Sequence, residues 1–235
     1  MTGDDAVPRP VVVDLAALRA ADVPALEERL ATARLVCFPT DTVYGVGGAL
    51  TPAVAGALVA AKGRDPDKPL QVVFATLEAL EAGVPMAPEL RLACRRLLPG
   101  PVTLLLPYPA HWGFPPPGEA GEAFGRPAVA TLGVRVPAWP PAARLLAGLR
   151  RPLVASSANV SGGPPPASLP AVEVSLLGRC DLALDAGVVS GLASSVVDLT
   201  RYAETGRWRL SRAGVWGEAE VAARLAATRE EPLTP

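Results

Sequence analysis

Two lysines stand in one short segment, Lys62-Gly63-Arg64-Asp65-Pro66-Asp67-Lys68-Pro69-Leu70, and they are the only lysines among the 22 cationic side chains of the chain. A lysine ammonium is a compact point charge that docks on phosphate oxygens, whereas this sequence uses arginine for charge everywhere else. Glycine and proline punctuate the segment, which is typical of a loop. Taken alone, the pattern fits a charged surface turn better than a site. It becomes a candidate phosphate-binding loop only through its neighbours.

Hydroxyl and amide side chains follow apolar segments at three other places. They lie in Thr40 to Tyr44, Ser156 to Ser161 and Gly191 to Ser195. Ligands of open α/β sheets bind beyond strand ends, so loops of this kind can converge on one crevice. Turn chemistry and helix capping explain any single one of these residues equally well. The prediction is therefore that the loops meet.

The composition excludes several kinds of chemistry. His111 is the only histidine, which rules out a paired-histidine mechanism or a histidine zinc cluster and weakens a Ser-His-Asp triad. The formal charge of −1 and the pI near 5.9 argue against coating nucleic acid by bulk electrostatics. Only local basic patches remain for such contacts.

The distribution of cysteines and apolar residues indicates a cytoplasmic protein. Cys37, Cys94 and Cys180 lie far apart without metal-ligand spacing, so we expect them to be reduced core residues. The first ten residues lack a signal-peptide pattern, and no apolar run reaches the length of a membrane span. We expect no contact with a membrane.

Strand and helix patterns alternate along most of the chain. Strands are predicted at 11–13, 35–38, 70–74, 102–106, 128–137, 153–155, 182–184, 195–199 and 208–210, and helices at 24–33, 52–62, 76–81, 88–98, 141–149, 168–177 and 218–228. The stretch 39–48 is predicted to be a loop. The pattern indicates an α/β fold with a twisted open mixed sheet, parallel and antiparallel, flanked by helices. We divide the chain into a mobile leader (1–10), a single catalytic domain (11–216) and a C-terminal helix and tail (217–235).

Two local patterns bear on the site. The alternation Val134-Arg135-Val136 places Arg135 on the opposite face of its strand from its neighbours. The long proline- and glycine-rich segment 107–127 is unusual inside a compact domain. It fits a disordered insertion and a mobile cover over the cleft equally well.

Six motifs occur in a fixed order along the chain. They are Pro39-Thr40-x-Thr42-x-Tyr44-Gly45, Lys62-Gly63-Arg64 with Lys68-Pro69-Leu70, Pro99-Gly100-Pro101-x-Thr103, Val134-Arg135-Val136-Pro137, Ser157-Ala158-Asn159-x-Ser161-Gly162 and Ser194-Ser195-Val196-Val197-Asp198. Together they resemble the YrdC/TsaC-type threonylcarbamoyl-AMP synthases, over roughly residues 35–214. Six ordered motifs are more specific than any lone glycine-rich loop.

The resemblance implies a YrdC-like fold and a nucleotidyltransferase reaction. L-threonine, bicarbonate and ATP give threonylcarbamoyladenylate and pyrophosphate, with Mg²⁺ carried by the ATP phosphates and no protein metal site. Downstream tRNA-modification proteins would receive the product for threonylcarbamoyladenosine synthesis. Fixed cations in a dry cleft suit such a step, because they neutralise the pyrophosphate leaving group.

The resemblance also implies roles for single residues. The ATP-binding residues would be Lys62, Arg64, Lys68, Thr131, Asn159 and Arg212. The threonine-binding residues would be Thr42, Arg135, Ser157 and Ser194. Lys62, Arg64 and Arg135 would be the catalytic set, with the planar guanidinium of Arg135 gripping the threonine carboxylate.

The chain departs from the family pattern at four positions. Val73 stands where many relatives have a histidine, Pro165 and Ala167 replace hydroxyl residues, and Ala213 replaces a proline. Two alternatives stay open. One is an RNA- or ribosome-binding paralogue without adenylation activity, suggested by Arg201, Arg207, Arg209 and Arg212. The other is a carbamoyl-adenylate enzyme that uses another amine acceptor.

Overall fold

The computed structural model describes residues 9–63, 70–109, 131–160 and 162–227. Several sequence predictions concern residues outside these ranges. They are Arg64, Lys68, Ser161, most of the leader, the segment 110–130 with His111, and the tail from residue 228. Whether the segment 107–127 covers the cleft is a question that lies almost wholly outside the described residues.

Ten strands of the described residues form a single sheet. In chain order, β1 to β10 span Val11–Asp14, Val36–Phe38, Gly45–Ala49, Gln71–Val73, Val102–Pro107, Thr131–Arg135, Leu153–Ser157, Leu182–Asp185, Ser195–Asp198 and Arg209–Arg212. Their order across the sheet is β1-β8-β2-β3-β7-β4-β6-β5-β9-β10. The pairs β1/β8, β2/β8, β4/β6 and β5/β9 are parallel and the other five are antiparallel. The predicted mixed sheet is therefore confirmed.

Seven α-helices of the described residues flank the sheet. In chain order, α1 to α7 span Val23–Thr32, Pro52–Lys62, Leu77–Gly83, Pro88–Leu97, Val174–Leu177, Tyr202–Thr205 and Glu218–Ala226. None of them is both long and apolar enough to cross a membrane. Hydrophobic residues of helices and strands form three buried clusters.

Helix α2 shows how local sequence delivers a charged residue to the sheet. Thr51 caps the helix, since its hydroxyl accepts from the Val54 amide (3.2 Å), and Gly63 ends it in the left-handed region (φ 54°). Val54, Leu58 and Lys62 are spaced four residues apart and are all buried. Side chains at this spacing share one helix face, so the face packed against the sheet also carries Lys62 inward.

Two predicted helices differ in the structure. Residues Pro141–Gly148 form a 3-10 helix, and the stretch 168–177 breaks into a 3-10 turn, Leu169–Ala171, followed by the short helix α5. Pro170 is the third residue of the predicted helix and lies in the first turn of the 3-10 helix, where proline is tolerated. The helix breaks after it, because Val172 (ψ 134°) and Glu173 (ψ 132°) have non-helical backbone angles. The sequence prediction of one continuous helix there was wrong.

Strand β3 was predicted to be loop. Its sequence, Gly45 to Ala49, holds three glycines, which are depleted in strands. A Cβ at Gly47 would lie 1.8 Å from the Val154 carbonyl oxygen of the neighbouring strand β7. Glycine is therefore what allows β3 to pack this closely on β7, and tertiary packing overrides the local propensity.

Candidate active site

A pocket of about 270 Å³ lies over one face of the sheet, where β4, β6 and β7 run side by side. Gln71 and Val73 reach it from β4, Arg135 from β6, and Ala155 and Ser157 from β7. Gln71 is paired with Ala155, and Val73 with Arg135, so these side chains share a face. The floor of the pocket is thus a sheet face, whereas the sequence suggested a crevice beyond strand ends.

Loops close this pocket from the sides. They and the adjoining strand ends contribute Thr40, Val43, Gly45 at the start of β3, Ser156 near the end of β7, Asn159, Gly163, Pro165, Ala193, Ser194 and Arg212 at the end of β10. Three of the four polar loops singled out in the sequence are represented among these residues. Lys62, from the fourth, bonds to two residues that line the pocket.

The loop between β2 and β3 is organised by its own hydroxyls. Thr40 Oγ1 donates to the Val43 carbonyl (2.7 Å) and accepts from the Thr42 amide (3.3 Å). The Tyr44 hydroxyl ties the loop to the end of β8, since it donates to the Gly187 carbonyl (2.8 Å). Turn chemistry therefore operates here as well, and Thr42 is fully buried behind the pocket wall.

Arg135 is the most deeply buried charge of the pocket. Its residue exposure is 4%, and one terminal nitrogen donates both to Asp41 Oδ1 (2.6 Å) and to Thr42 Oγ1 (3.1 Å). Its Nε is buried without a hydrogen-bond partner among the described residues. A buried donor left unpaired costs about 1 to 3 kcal/mol, so this N–H is ready for an acceptor in the pocket.

Asp41 is the partner of Arg135 that sequence analysis missed. Besides the ion pair, its Oδ2 accepts from the Ala138 amide (3.1 Å). Burial raises the pKa of Asp41, and the Arg135 charge and the Ala138 hydrogen bond oppose this. Burial lowers the pKa of Arg135, the Asp41 charge opposes the change, and the charge of Arg212 adds to it. The position of Asp41 inside the Pro39 to Gly45 motif was the available signal.

Lys62 reaches the pocket wall from the end of α2. Its ammonium donates to Ser156 Oγ (2.9 Å) and to the Ser157 carbonyl (2.5 Å), and Ser157 Oγ lies 3.5 Å away. The residue is 5% exposed. A cation is therefore fixed at the end of β7, next to the polar turn that follows it.

The turn after β7 is rigidified by side-chain hydrogen bonds. Ser157 Oγ donates to Asn159 Oδ1 (2.5 Å), and Asn159 Nδ2 donates to the Gly163 carbonyl (2.6 Å). Both Ser157 and Asn159 line the pocket. The turn thus presents one hydroxyl and one amide at fixed positions.

Ser194 and Arg212 form the wall opposite this turn. The Arg212 guanidinium donates to the Ser194 carbonyl (2.8 Å) and contacts its hydroxyl (3.3 Å), which also lies 3.0 Å from Thr103 Oγ1. The backbone of Gly214 packs so closely that a Cβ there would lie 2.3 Å from the Ala193 carbonyl oxygen. Glycine is needed at this position to bring β10 and Arg212 against Ser194.

Not every predicted residue lines the pocket. Thr131 lies at the start of β6 and is absent from the lining, and Thr42 contacts Arg135 from behind it. Gln71 and the apolar Val43 and Val73 do line it, although Gln71 and Val43 were given no role by the sequence. Gln71 lies two residues before Val73 in a predicted strand, so the two side chains share a face of the sheet. This spacing could have identified Gln71 as a lining residue.

A larger pocket, of about 600 Å³, lies at the opposite ends of β3 and β7. Its wall is mostly alanine, leucine and phenylalanine, and its Arg150 is paired with the buried Glu27 (2.9 Å). Ligand pockets orient their ligands by a few convergent polar groups. The polar lining of this pocket is limited to Thr51, Arg150 and Arg151, and the charge of Arg150 is already balanced by Glu27. The smaller pocket, with four hydroxyls and two arginines in its lining and Lys62 bonded to its wall, is therefore the candidate active site.

The chemistry of the smaller pocket is electrostatic. The cations are Lys62, Arg135 and Arg212, and the hydroxyls belong to Thr40, Ser156, Ser157 and Ser194. The described residues contain no group of three His, Cys, Asp or Glu side chains placed to hold a metal ion. Their three cysteines are free and buried, and burial raises the pKa of Cys94 and Cys180 to about 12. The pocket can therefore bind and orient anionic groups.

Comparison with known proteins adds independent information. The Sua5/YciO/YrdC family model, described as "Telomere recombination", matches residues 28–214. A threonylcarbamoyl-AMP synthase of Pyrococcus abyssi is 36% identical over 172 residues, which cover 72% of this chain and 48% of the relative. One of Xanthomonas campestris pv. campestris is 35% identical over 178 residues, which cover 73% and 89% of the two chains. The chain thus spans about half the length of the first relative.

Solved structures agree with these matches. The crystal structure of P. abyssi Sua5 complexed with L-threonine superposes with a TM-score of 0.70 at 30% identity. The alignment covers 93% of this chain and 60% of that one. The crystal structure of Escherichia coli YciO superposes with a TM-score of 0.67 at 18% identity, which shows a shared fold.

Proposed function

The chain belongs to the Sua5/YciO/YrdC family, as its ordered motifs predicted, and on that basis we propose that it is an L-threonylcarbamoyladenylate synthase. It would convert L-threonine, bicarbonate and ATP to L-threonylcarbamoyladenylate and pyrophosphate. The Xanthomonas campestris relative, which aligns with this chain over 89% of its own length, carries the name threonylcarbamoyl-AMP synthase. A homologue with this fold has been crystallised with L-threonine.

One observation supports this proposal above the others. The pocket holds a buried guanidinium with an unpaired Nε at one end and two further cations, Lys62 and Arg212, around its wall. A carboxylate would satisfy the Nε of Arg135, and phosphate oxygens suit the other two charges. An amino acid and a nucleotide can therefore lie side by side in one cavity.

The reaction needs few protein functional groups. The threonine amine takes up bicarbonate with loss of water, and a carbamate oxygen then attacks the α-phosphorus of ATP. The bond from that phosphorus to the bridging oxygen breaks, and pyrophosphate leaves with the electron pair. We assign Arg135, Thr42, Ser157 and Ser194 to threonine, and Lys62, Arg64, Lys68, Thr131, Asn159 and Arg212 to ATP. Catalysis then consists of positioning and charge neutralisation.

Mg²⁺ enters this proposal with the nucleotide. It would be carried by the ATP phosphates and would shield charge on the pyrophosphate that leaves. The residues of this chain bind the remaining phosphate oxygens and keep water from the carbamate. We also propose a cytoplasmic location and transfer of the product to tRNA-modification proteins.

The decisive experiment is a pyrophosphate-release assay in which the amino acid is varied. With ATP and bicarbonate present, release should require threonine, and serine should support it more weakly, because one methyl group in an apolar pocket is worth about 10-fold or more. The assay needs only the purified chain and a coupled phosphate readout. Release that is the same with threonine omitted would refute the proposal. Release with a different amine in place of threonine would favour the related carbamoyl-adenylate enzyme.

A second surface carries residues suited to contact with RNA. Arg201, Arg207 and Arg209 line a shallow cleft of about 300 Å³ with Trp208, and Asp198 pairs with Arg209 (3.1 Å). Arginines beside an aromatic ring suit a phosphate backbone with an adjacent base. Arg212, the fourth arginine of the predicted cluster, turns instead toward Ser194 in the candidate active site.

We propose that this arginine cleft binds tRNA by its phosphates. Reversing two charges, in Arg201→Glu/Arg207→Glu, should weaken tRNA binding at low salt by at least about tenfold and flatten its salt dependence. Fluorescence anisotropy with labelled tRNA at several salt concentrations measures this, with exposed Arg179→Glu as the matched control. Unchanged affinity in the double variant would argue against RNA contact at this surface. RNA binding without any threonine-dependent pyrophosphate release would favour the paralogue over the synthase.

A further inference from the structure

The two arginines of the candidate active site differ in their counter-charges. Arg135 is bonded to the carboxylate of Asp41, whose side chain is 9% exposed. Arg212 is bonded to the carbonyl and hydroxyl oxygens of Ser194, which are neutral. The charge of Arg135 is therefore balanced inside the protein, while Arg212 faces the pocket with its charge uncompensated by the partners described.

The hydrogen-bonding capacity of Arg135 is restricted in the same way. The terminal nitrogen that bonds Asp41 also bonds Thr42 Oγ1, so both of its N–H groups are in use. The Nε is the N–H of the guanidinium that is buried and unpaired among the described residues. Carboxylate and phosphate groups both bind well to two parallel N–H donors of an arginine fork. The Nε edge of Arg135 therefore offers one N–H to a ligand, and the choice between the two anionic groups depends on charge.

Charge discriminates further between the two substrates. Threonine arrives as a zwitterion with no net charge, whereas the triphosphate of ATP and pyrophosphate carry several negative charges. A fixed carboxylate repels each added negative charge, and a buried site screens this repulsion poorly. Asp41 therefore disfavours phosphate at Arg135 far more than it disfavours an amino acid.

We propose that Asp41 is the residue that reserves the Arg135 end of the pocket for the amino acid by excluding phosphate groups from it. This inference rests on the proposed function and goes beyond it, because it concerns how one cationic pocket keeps two anionic ligands in separate places. Without Asp41, the pocket would hold three cations in reach of one another, and the triphosphate could bind across all of them.

Asp41 also has a structural contact, which the test must separate from its charge. Its Oδ2 accepts from the Ala138 amide and so fastens the segment after β6. Loss of that contact would lower stability and weaken every ligand together. Loss of the charge would strengthen phosphate binding, which structural damage does not do.

The test is calorimetric titration of the purified chain with pyrophosphate and with threonine, for the wild type and for Asp41→Asn and Asp41→Glu. Asp41→Asn should bind pyrophosphate at least tenfold more tightly than the wild type. In this variant, saturating pyrophosphate should weaken threonine binding at least tenfold, whereas in the wild type both ligands should bind together. Asp41→Glu, which keeps the charge, should behave like the wild type.

Each outcome decides the matter. Unchanged or weaker pyrophosphate binding by Asp41→Asn would overturn the proposal, as would equal gains in Asp41→Asn and Asp41→Glu. If Asp41→Asn does not fold, the wild type alone is decisive, because displacement of threonine by pyrophosphate there would also overturn it. A protein that binds no threonine would fail the proposed function, while the pyrophosphate comparison between variants would still be readable.

Discussion

Replacing Lys62 by alanine is expected to reduce threonine-dependent pyrophosphate release by about a hundredfold or more. Lys62 is the cation held at the end of β7 by Ser156 Oγ and the Ser157 carbonyl. Removing one preorganised donor to developing charge typically costs two to three orders of magnitude in rate. The loss should appear mainly in kcat, because the charge of the leaving pyrophosphate grows as the reaction proceeds.

The matched control for Lys62→Ala is Arg144→Ala. Arg144 is an exposed cation whose described contact is one hydrogen bond to the Pro141 carbonyl, so its removal should leave the rate unchanged. Steady-state kinetics with ATP varied at saturating threonine distinguishes the two variants. A melting temperature measured alongside shows whether Lys62→Ala is folded. A folded Lys62→Ala variant with wild-type turnover would remove Lys62 from the catalytic set.

Replacing Gly47 by alanine is expected to destabilise the fold by at least about 3 kcal/mol. The new Cβ would lie 1.8 Å from the Val154 carbonyl oxygen and 2.9 Å from the Ala155 Cα. Both atoms belong to the backbone of β7, which is held on its other side by β4, so neither strand can move aside alone. Separating β3 from β7 would also displace Ala155, in the floor of the candidate active site.

Gly56→Ala is the control for Gly47→Ala. Gly56 lies inside α2, and a Cβ there meets nothing within 4 Å. Alanine in a helix interior is favoured over glycine, so this variant should gain about 0.5 to 1 kcal/mol. Urea unfolding of both variants gives the two free energies. If Gly47→Ala loses less than about 1 kcal/mol, the close approach of β3 to β7 is not a constraint.

Patterns that are local in sequence predicted most of the elements. Apolar runs located nine of the ten described strands, and the capping pattern of Thr51-Pro52 with Gly63 located both ends of α2. Strand β3 was not predicted, because its glycines are needed only for close packing on the neighbouring strand β7. The continuous helix predicted over 168–177 was wrong because apolar spacing gives no sign of the break at Val172 and Glu173.

The sequence predicted that the polar loops meet at one pocket, but it did not identify every residue of that pocket. The alternation around Arg135 and the lysine at the end of α2 both pointed to residues that meet in the structure. The motif around Asp41 placed it in a candidate loop, but its pairing with Arg135 needed the structure, because the ion pair joins residues 94 positions apart. Gln71 belongs to the floor only because β4 lies beside β7, and strand order across a sheet is a property of the whole chain.

The span of sequence that builds the pocket has a consequence for how the protein is made. Its lining begins at Thr40 and is completed only at Arg212. A ribosome must therefore synthesise the whole span from Thr40 to Arg212 before the pocket can form, and pairings of such long range form slowly. Products of translation interrupted before Arg212 would therefore lack part of the pocket.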